Sequence, residues 1–307
     1  MQLPRAVVMV RPASFGFNPD TAPSFMFQRE TTEASRKEIE RRARIEFDLL
    51  AGRLREAAME VIVTEDKEDL NTPDAVFPNN WVSFHHDGTV VLYPMLAPSR
   101  RPERRRDIIE KLEASGFRVS RVVDLTHHEN NGRFLEGTGS VVFDHADHLA
   151  YANLSPRTNE SVLTELCATL GYTPVTFRAV QQNGDAILHT DMAVSIGDRF
   201  VIVCADAIRD AADRKRVLDS LKSTGREIIT IDTKQQEQFA GNVLQLRTKD
   251  DRTVLAISTS ACLALRTEQR DAIQKFTQFV ESPLPVFEGI GRGSARCMMA
   301  DVHLPRR

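Results

Sequence analysis

Along this chain, short apolar runs alternate with tight polar turns in four places, and each place reads as a β-hairpin. The hairpins are Trp81–Tyr93 around HHDG, Ser140–Asn153 around DHAD, Met192–Cys204 around GD and Val243–Ser258 around KDDR. Their first residues lie 59, 52 and 51 positions apart, and one more step from Val243 lands near Ala295 in SARCMMADVHL. That last strand has no partner after it. The first apolar run, Ala6–Val10, is the available partner, and pairing the two would join the termini.

Helical spacing predicts helices over Thr32–Met59, Pro102–Ser115, Asn159–Leu170, Arg209–Thr224 and Glu268–Val280. Each leads into a short extended run: Val61–Thr64, Val119–Val123, Pro174–Phe177, Ile228–Ile231 and Pro285–Phe287. The unit is strand, strand, helix, strand, repeated five times with a circularly shifted start. Repeats near this length point to a propeller or solenoid, and paired termini favour a closed ring. Two ordinary α/β domains with accidental hairpin spacing are the competing arrangement.

Composition narrows the function. A chain of 307 residues, 41% apolar, can bury a large core without disulfide staples. A net charge of -3 and a pI near 6.3 argue against a nucleic-acid or anionic-membrane partner. The apolar runs fall far short of the ~20 residues that span a bilayer, and the N-terminus carries no signal-peptide pattern. Cys167, Cys204, Cys262 and Cys297 form no CxxC pair, which suits reduced thiols in the cytoplasm. A small molecule is the expected substrate.

A polar or glycine-rich cluster sits immediately before the first strand of each unit: PNN, LEGTG, LHTD, AGN and GRGSARC. Equivalent ends of equivalent strands converge on one mouth of a ring. Asn79, Asn80, Glu136, His189, Asp191, Asn242 and Cys297 are therefore expected together. Cysteine, histidine and carboxylate in one pocket is the arrangement nucleophilic catalysis needs. The other three cysteines sit within apolar elements and read as small core residues. Three glycines shortly before Cys297 would let a ligand approach the backbone closely. His145 and His148 fall in a hairpin turn and read as solvated, as do His127 and His128 in their loop. The run SRRPERRRD reads as a solvated helix start.

These motifs resemble the amidinotransferase and arginine deiminase superfamily. GRGSARCMM resembles the approach to its catalytic cysteine, LEGTGS its Glu-Gly-Gly motif, and HTD its His-x-Asp. FPNNW stands where relatives carry a segment ending in Arg-Asp, and NLSPRTNE resembles a Ser-Glu-Arg-Thr element. The matches run in family order from residue 74 to residue 300. The resemblance implies a five-bladed α/β propeller, the pentein fold, as a single catalytic domain over residues 1–307. It also implies Cys297, His189 and Glu136 as catalytic residues and Arg157 as the ligand of a substrate carboxylate.

The expected substrate turns on Asn80. Relatives that grip a guanidinium use two aspartates; here Asp191 stands in the second position and Asn80 in the first. An amide both donates and accepts, which suits the neutral ureido group of citrulline. The whole pattern resembles the citrulline-hydrolase branch, giving ornithine, carbon dioxide and ammonia through an S-carbamoyl intermediate. Arginine or modified-arginine hydrolysis, amidino transfer, and a non-catalytic binding role on the same fold are the alternatives. No metal or organic cofactor is required. The oligomeric state is not read from the sequence, and a homodimer stays open.

Overall fold

A computed structural model describes residues 2–21 and 33–307. The chain opens with β1 (Ala6–Arg11), α1 (Glu33–Glu56) and β2 (Glu60–Glu65). β1 is buried along nearly its whole length, as its uninterrupted apolar run requires. Next come β3 (Val82–Phe84), β4 (Thr89–Leu92), α2 (Arg106–Ala114) and β5 (Arg121–Asp124). The third stretch holds α3 (Gly137–Ser140), β6 (Val141–Asp144), β7 (Leu149–Asn153), α4 (Glu160–Leu170) and β8 (Thr173–Phe177). The fourth holds β9 (Val194–Ile196), β10 (Phe200–Val203), α5 (Ala211–Ser223) and β11 (Glu227–Thr230). The last comprises α6 (Thr233–Glu237), β12 (Leu244–Arg247), β13 (Thr253–Ser258), α7 (Thr259–Ala264), α8 (Thr267–Gln274), β14 (Gln278–Ser282) and the terminal β15 (Ala300–Val302).

One pairing rule recurs. The first two strands of a unit are antiparallel and the third runs parallel to the second, as in β6-β7-β8, β9-β10-β11 and β12-β13-β14. β3-β4-β5 obeys it too. The chain ends supply the same pattern, because β15 runs antiparallel to β1 with Ala6 opposite Val302, and β2 runs parallel to β1. The parallel third strand demands a crossover, which the helix provides. Asn159 caps α4 through Ser161 N–H and Val162 N–H, and Gly171 ends it at φ 75°. α1 packs on β1, β2 and β14. Phe47, Leu50 and Leu54 of α1 share a core with Met9, Phe77, Phe287 and Met298.

Two expected elements differ. The helix begun at Thr267 stops at Gln274, because the aromatic and β-branched residues that follow pair alongside β13 from Val254↔Gln278 to Ser258↔Ser282. The run Pro285–Phe287, expected as that third strand, starts a helical turn whose Val286 and Phe287 N–H groups bond to the buried Glu46 carboxylate. Thr32, the expected start of α1, lies outside the described residues. Among the described residues no helix is long and apolar enough to cross a membrane, and the four cysteines are unpaired.

Candidate active site

Five short turns feed the first strands of the five units. Pro78–Asn80 and Thr190–Met192 are single 3-10 turns closed by Trp81 N–H to Pro78 O (3.2 Å) and Ala193 N–H to Thr190 O (2.9 Å). α3 closes with Ser140 N–H on Glu136 O (2.9 Å). Asn242 N–H closes the fourth turn on Phe239 O (2.8 Å), and Cys297 N–H the fifth on Ser294 O (3.0 Å).

Polar contacts stitch these turns together. Thr138 Oγ1 donates to Asn79 O (3.4 Å), and Thr190 Oγ1 to Ser140 O (2.6 Å). Asn79 Nδ2 donates to Asp191 Oδ2 (3.2 Å), and Asn242 Nδ2 reaches both Asp191 O (3.3 Å) and Cys297 Sγ (3.2 Å). The Cys297 thiol lies 3.6 Å from Asp191 Oδ2. Four of the expected site residues, Cys297, Asp191, Asn242 and Asn79, thus form one buried hydrogen-bonded set.

A second set surrounds Glu136, which is fully buried. Its Oε2 accepts from His189 Nε2 (2.8 Å) and from Arg157 Nη1 (3.2 Å), and its Oε1 accepts from Leu96 N–H (3.1 Å). Burial opposes ionisation of Glu136, but Arg157, His189 and Arg100 outweigh it and hold the carboxyl below the ordinary range. Arg157 is buried with its other terminal nitrogen on Thr21 O (3.3 Å). Gly139 lies between Asn80 and the His189 ring. A methyl there would come within 2.5 Å of Asn80 Nδ2 and 3.2 Å of the His189 ring, so only hydrogen lets both approach.

Burial, then the Asp191 charge, pushes the Cys297 thiol above its ordinary range, against the pull of Asn242 and Arg296. Burial also raises Asp191, although His189 and Arg296 oppose it. Burial pushes Cys167 and Cys204 up to about 11, as suits inert core thiols.

Sequence reasoning missed Arg100. It belongs to the basic run expected to be solvated, yet its side chain is only 3% exposed. It grips Glu103 through Nε and Nη2, 2.9 Å each, and donates to Asn80 Oδ1 from Nη1 (2.9 Å). An arginine run carries no local signal for which of its members turn inward, here Arg100 and Arg105. His145 is likewise buried, its Nδ1 bonded to the Tyr172 hydroxyl (2.7 Å), whereas His148 is the exposed member of that turn. His128 is buried against Glu165 (2.8 Å). Two of the glycines before Cys297, Gly291 and Gly293, serve packing: a methyl on Gly293 would meet the Phe77 ring at 2.7 Å.

The sequence matches the family N,N dimethylarginine dimethylhydrolase, eukaryotic, over residues 11–304. No curated protein matches by sequence. The fold is similar to apo ArgZ, an arginine dihydrolase from the ornithine-ammonia cycle in Cyanobacteria (TM-score 0.69, 16% identity), covering 97% of this chain and 39% of that one. The chain therefore spans about two-fifths of that relative's length. It covers 98% of itself and 99% of the isolated N-terminal domain of ArgZ bearing a covalent reaction intermediate (TM-score 0.72, 17% identity). A dimethylarginine dimethylaminohydrolase carrying an S-methyl-L-thiocitrulline adduct superposes over 97% of this chain and 99% of its own (TM-score 0.64, 14% identity). With these matches beside the paired units and the cysteine site, the chain belongs to the eukaryotic-type N,N dimethylarginine dimethylhydrolase family of the pentein-fold amidinotransferase superfamily.

Proposed function

We propose that this chain is a single-domain thiol hydrolase of the ureido group, cleaving citrulline to ornithine, carbon dioxide and ammonia, with its five units closed as blades around the site. The observation that carries the reading is the orientation of Asn80. Arg100 has only donors to offer, so its contact at 2.9 Å assigns the accepting oxygen of Asn80 and turns Nδ2 the other way. That Nδ2 is buried and has no partner. A buried donor left unsatisfied costs about 1–3 kcal/mol. A ureido oxygen would satisfy it, whereas a guanidinium, which only donates, would not. The unpartnered Asp191 Oδ1 and Asn79 Oδ1 are then acceptors for the ureido N–H groups.

In the reaction, the thiol proton passes to His189 as substrate fills the pocket, and Cys297 Sγ bonds to the ureido carbon. Glu136 keeps the ring oriented through Nε2 and stabilises its charged form, which leaves Nδ1 to exchange protons. His189 protonates the departing nitrogen and ammonia leaves, giving an S-carbamoyl enzyme still attached to the ornithine side chain. Water, deprotonated by His189, displaces the sulfur, and the released carbamate loses carbon dioxide to give ornithine. Arg157, already committed to Glu136 and Thr21 O, serves Glu136 rather than the substrate carboxylate. The activated thiol supplies the covalent chemistry without metal or cofactor.

A second reading is hydrolysis of arginine or a methylated arginine. The two unpartnered acceptors and the likeness to an arginine dihydrolase favour it. One assay separates them: incubate the purified chain with citrulline, arginine, agmatine and dimethylarginine, following ornithine and ammonia separately. Ornithine formed fastest from citrulline supports the first reading; arginine preferred over citrulline overturns it.

A further inference from the structure

Four of the chain's 8 histidines gather in one cluster. His85, His145 and His303 stand just after β3, β6 and β15, at the strand ends opposite to the turns that carry Asn80, Glu136 and Cys297. The His145 and His303 rings are 4.0 Å apart between centroids, His86 and His303 4.7 Å, His86 and His145 5.5 Å, and His85 and His145 6.2 Å. Asp301 lies among them, its Oδ2 3.1 Å from His303 Nε2 and its Oδ1 held by Arg296 Nη2 at 2.9 Å. One donor atom from each of His145, Asp301 and His303 lies within 4.8 Å of the other two. These side chains line a cavity of about 40 Å³ whose wall also includes Gln2 and, toward the reactive residues, Asp191.

We propose that His145, Asp301 and His303 form a binding site for a borderline transition-metal dication, with Zn²⁺ the best fit. Two imidazoles and a carboxylate are a donor set that suits zinc, whereas Mg²⁺ and Ca²⁺ demand oxygen ligands. The cavity exceeds the 10–15 Å³ or so that one water-sized occupant needs. The Tyr172 hydroxyl on His145 Nδ1 (2.7 Å) fixes that ring and leaves Nε2 for the ion, the outer-sphere arrangement typical of ligating histidines. His303 Nδ1 is buried without a partner, an orphan atom that ion binding through a modest ring rotation would relieve. The exposed His86 ring lies beside that of His303. Arg296 shares the Asp301 carboxylate and adjoins Cys297 in the chain, so the ion would sit one residue contact from the fifth turn.

The test uses Cys297→Ser protein, in which the proposed nucleophile cannot bind metal, stripped with chelator and titrated with zinc chloride by calorimetry. About one equivalent should bind, and X-ray absorption of the zinc-loaded protein should give nitrogen and oxygen neighbours at about 2.0 Å, imidazole scattering and no sulfur near ~2.3 Å. His145→Asn and His303→Asn should each weaken binding on the order of 100-fold. The pair His127→Asn and His128→Asn, at the other histidine-carboxylate cluster of the described residues, should leave it unchanged. No zinc uptake, sulfur ligation, or loss of binding only in the His127 and His128 variants would overturn the proposal. Should a His145 or His303 variant fail to fold by circular dichroism, the absorption spectrum of the Cys297→Ser protein decides alone.

Discussion

At the scale of single residues, the site holds a buried thiol beside Asn242 and Asp191 and a histidine on Glu136, and its chemistry is testable by small changes. Cys297→Ser should remove turnover while moving the thermal midpoint little, since serine fills nearly the same space beside Asn242 and Asp191. The same change at Cys167, Cys204 or Cys262 should leave turnover intact, and equal losses at all four would refute the assignment. Because burial raises the Cys297 thiol, iodoacetamide should react with the substrate-free protein slowly at neutral pH and faster as pH rises past the ordinary thiol range. A rate already flat below neutrality would mean a resting thiolate.

Asn80→Asp tests the substrate choice. Arg100 would hold one carboxylate oxygen and leave an acceptor where the amide now donates. The citrulline over arginine ratio of kcat/KM should fall roughly ten- to hundredfold, the span of about 1–3 kcal/mol for one unpaired buried group. An unmoved ratio would show that Asn80 does not discriminate. Arg100 itself was hidden in the sequence, because its neighbours in SRRPERRRD have the same chemistry and only tertiary packing selects those that turn in.

At the scale of elements, two glycines separate site geometry from backbone economy. Gly139 in α3 lies against Asn80 and His189, so Gly139→Ala should displace one of them and lower kcat/KM tenfold or more with little change in midpoint. Gly171 ends α4 at φ 75° with open space around it, so Gly171→Ala should cost stability on the order of 1 kcal/mol and leave kcat/KM alone. Paired measurement of denaturation midpoint and kinetics checks both; losses of one kind in both variants would contradict this division. The elements were largely legible, since hairpin alternation and caps such as Asn159 are local signals. The region after Gln274 was not. Its apolar spacing also fits a continued helix, and the non-local partner β13 decides for a strand.

At the scale of the whole molecule, titration of the packed histidines should set the acid limb of stability. Burial lowers His85 to about 3 and lowers His145 well below the usual range. The unfolded chain therefore binds two protons below about pH 6.5 that the folded chain refuses, so stability falls as pH falls. Glu103 works the other way: burial, opposed by the Arg100 charge, pushes it up to about 7, so the folded state gains one proton in the same window. For these three groups alone the net is one proton, ~1.4 kcal/mol per pH unit between pH 6.5 and 5. Urea unfolding across that window should show this slope in the wild type and a flat curve in His85→Gln. A wild-type curve that rises toward pH 5 would reject the buried neutral imidazoles.

Sequence alone determined the order of the units, the pairing expected between the ends of the chain, and the polar turn before each first strand. These follow from periods of two and 3.6 and from turn chemistry, which act over a few residues. It also named the cysteine, histidine and carboxylates, because chemistry that rare at five repeated positions is visible without coordinates. Tertiary structure alone decided which way the Asn80 amide faces, that Arg157 meets Glu136, that burial raises the Cys297 thiol, and that His145 joins His303. Each of these depends on burial and on fields summed over partners as far apart as Asn79 and Asp191, or His145 and His303. Local patterns place a side chain on an element; only the packed chain sets what that side chain meets and how it is charged.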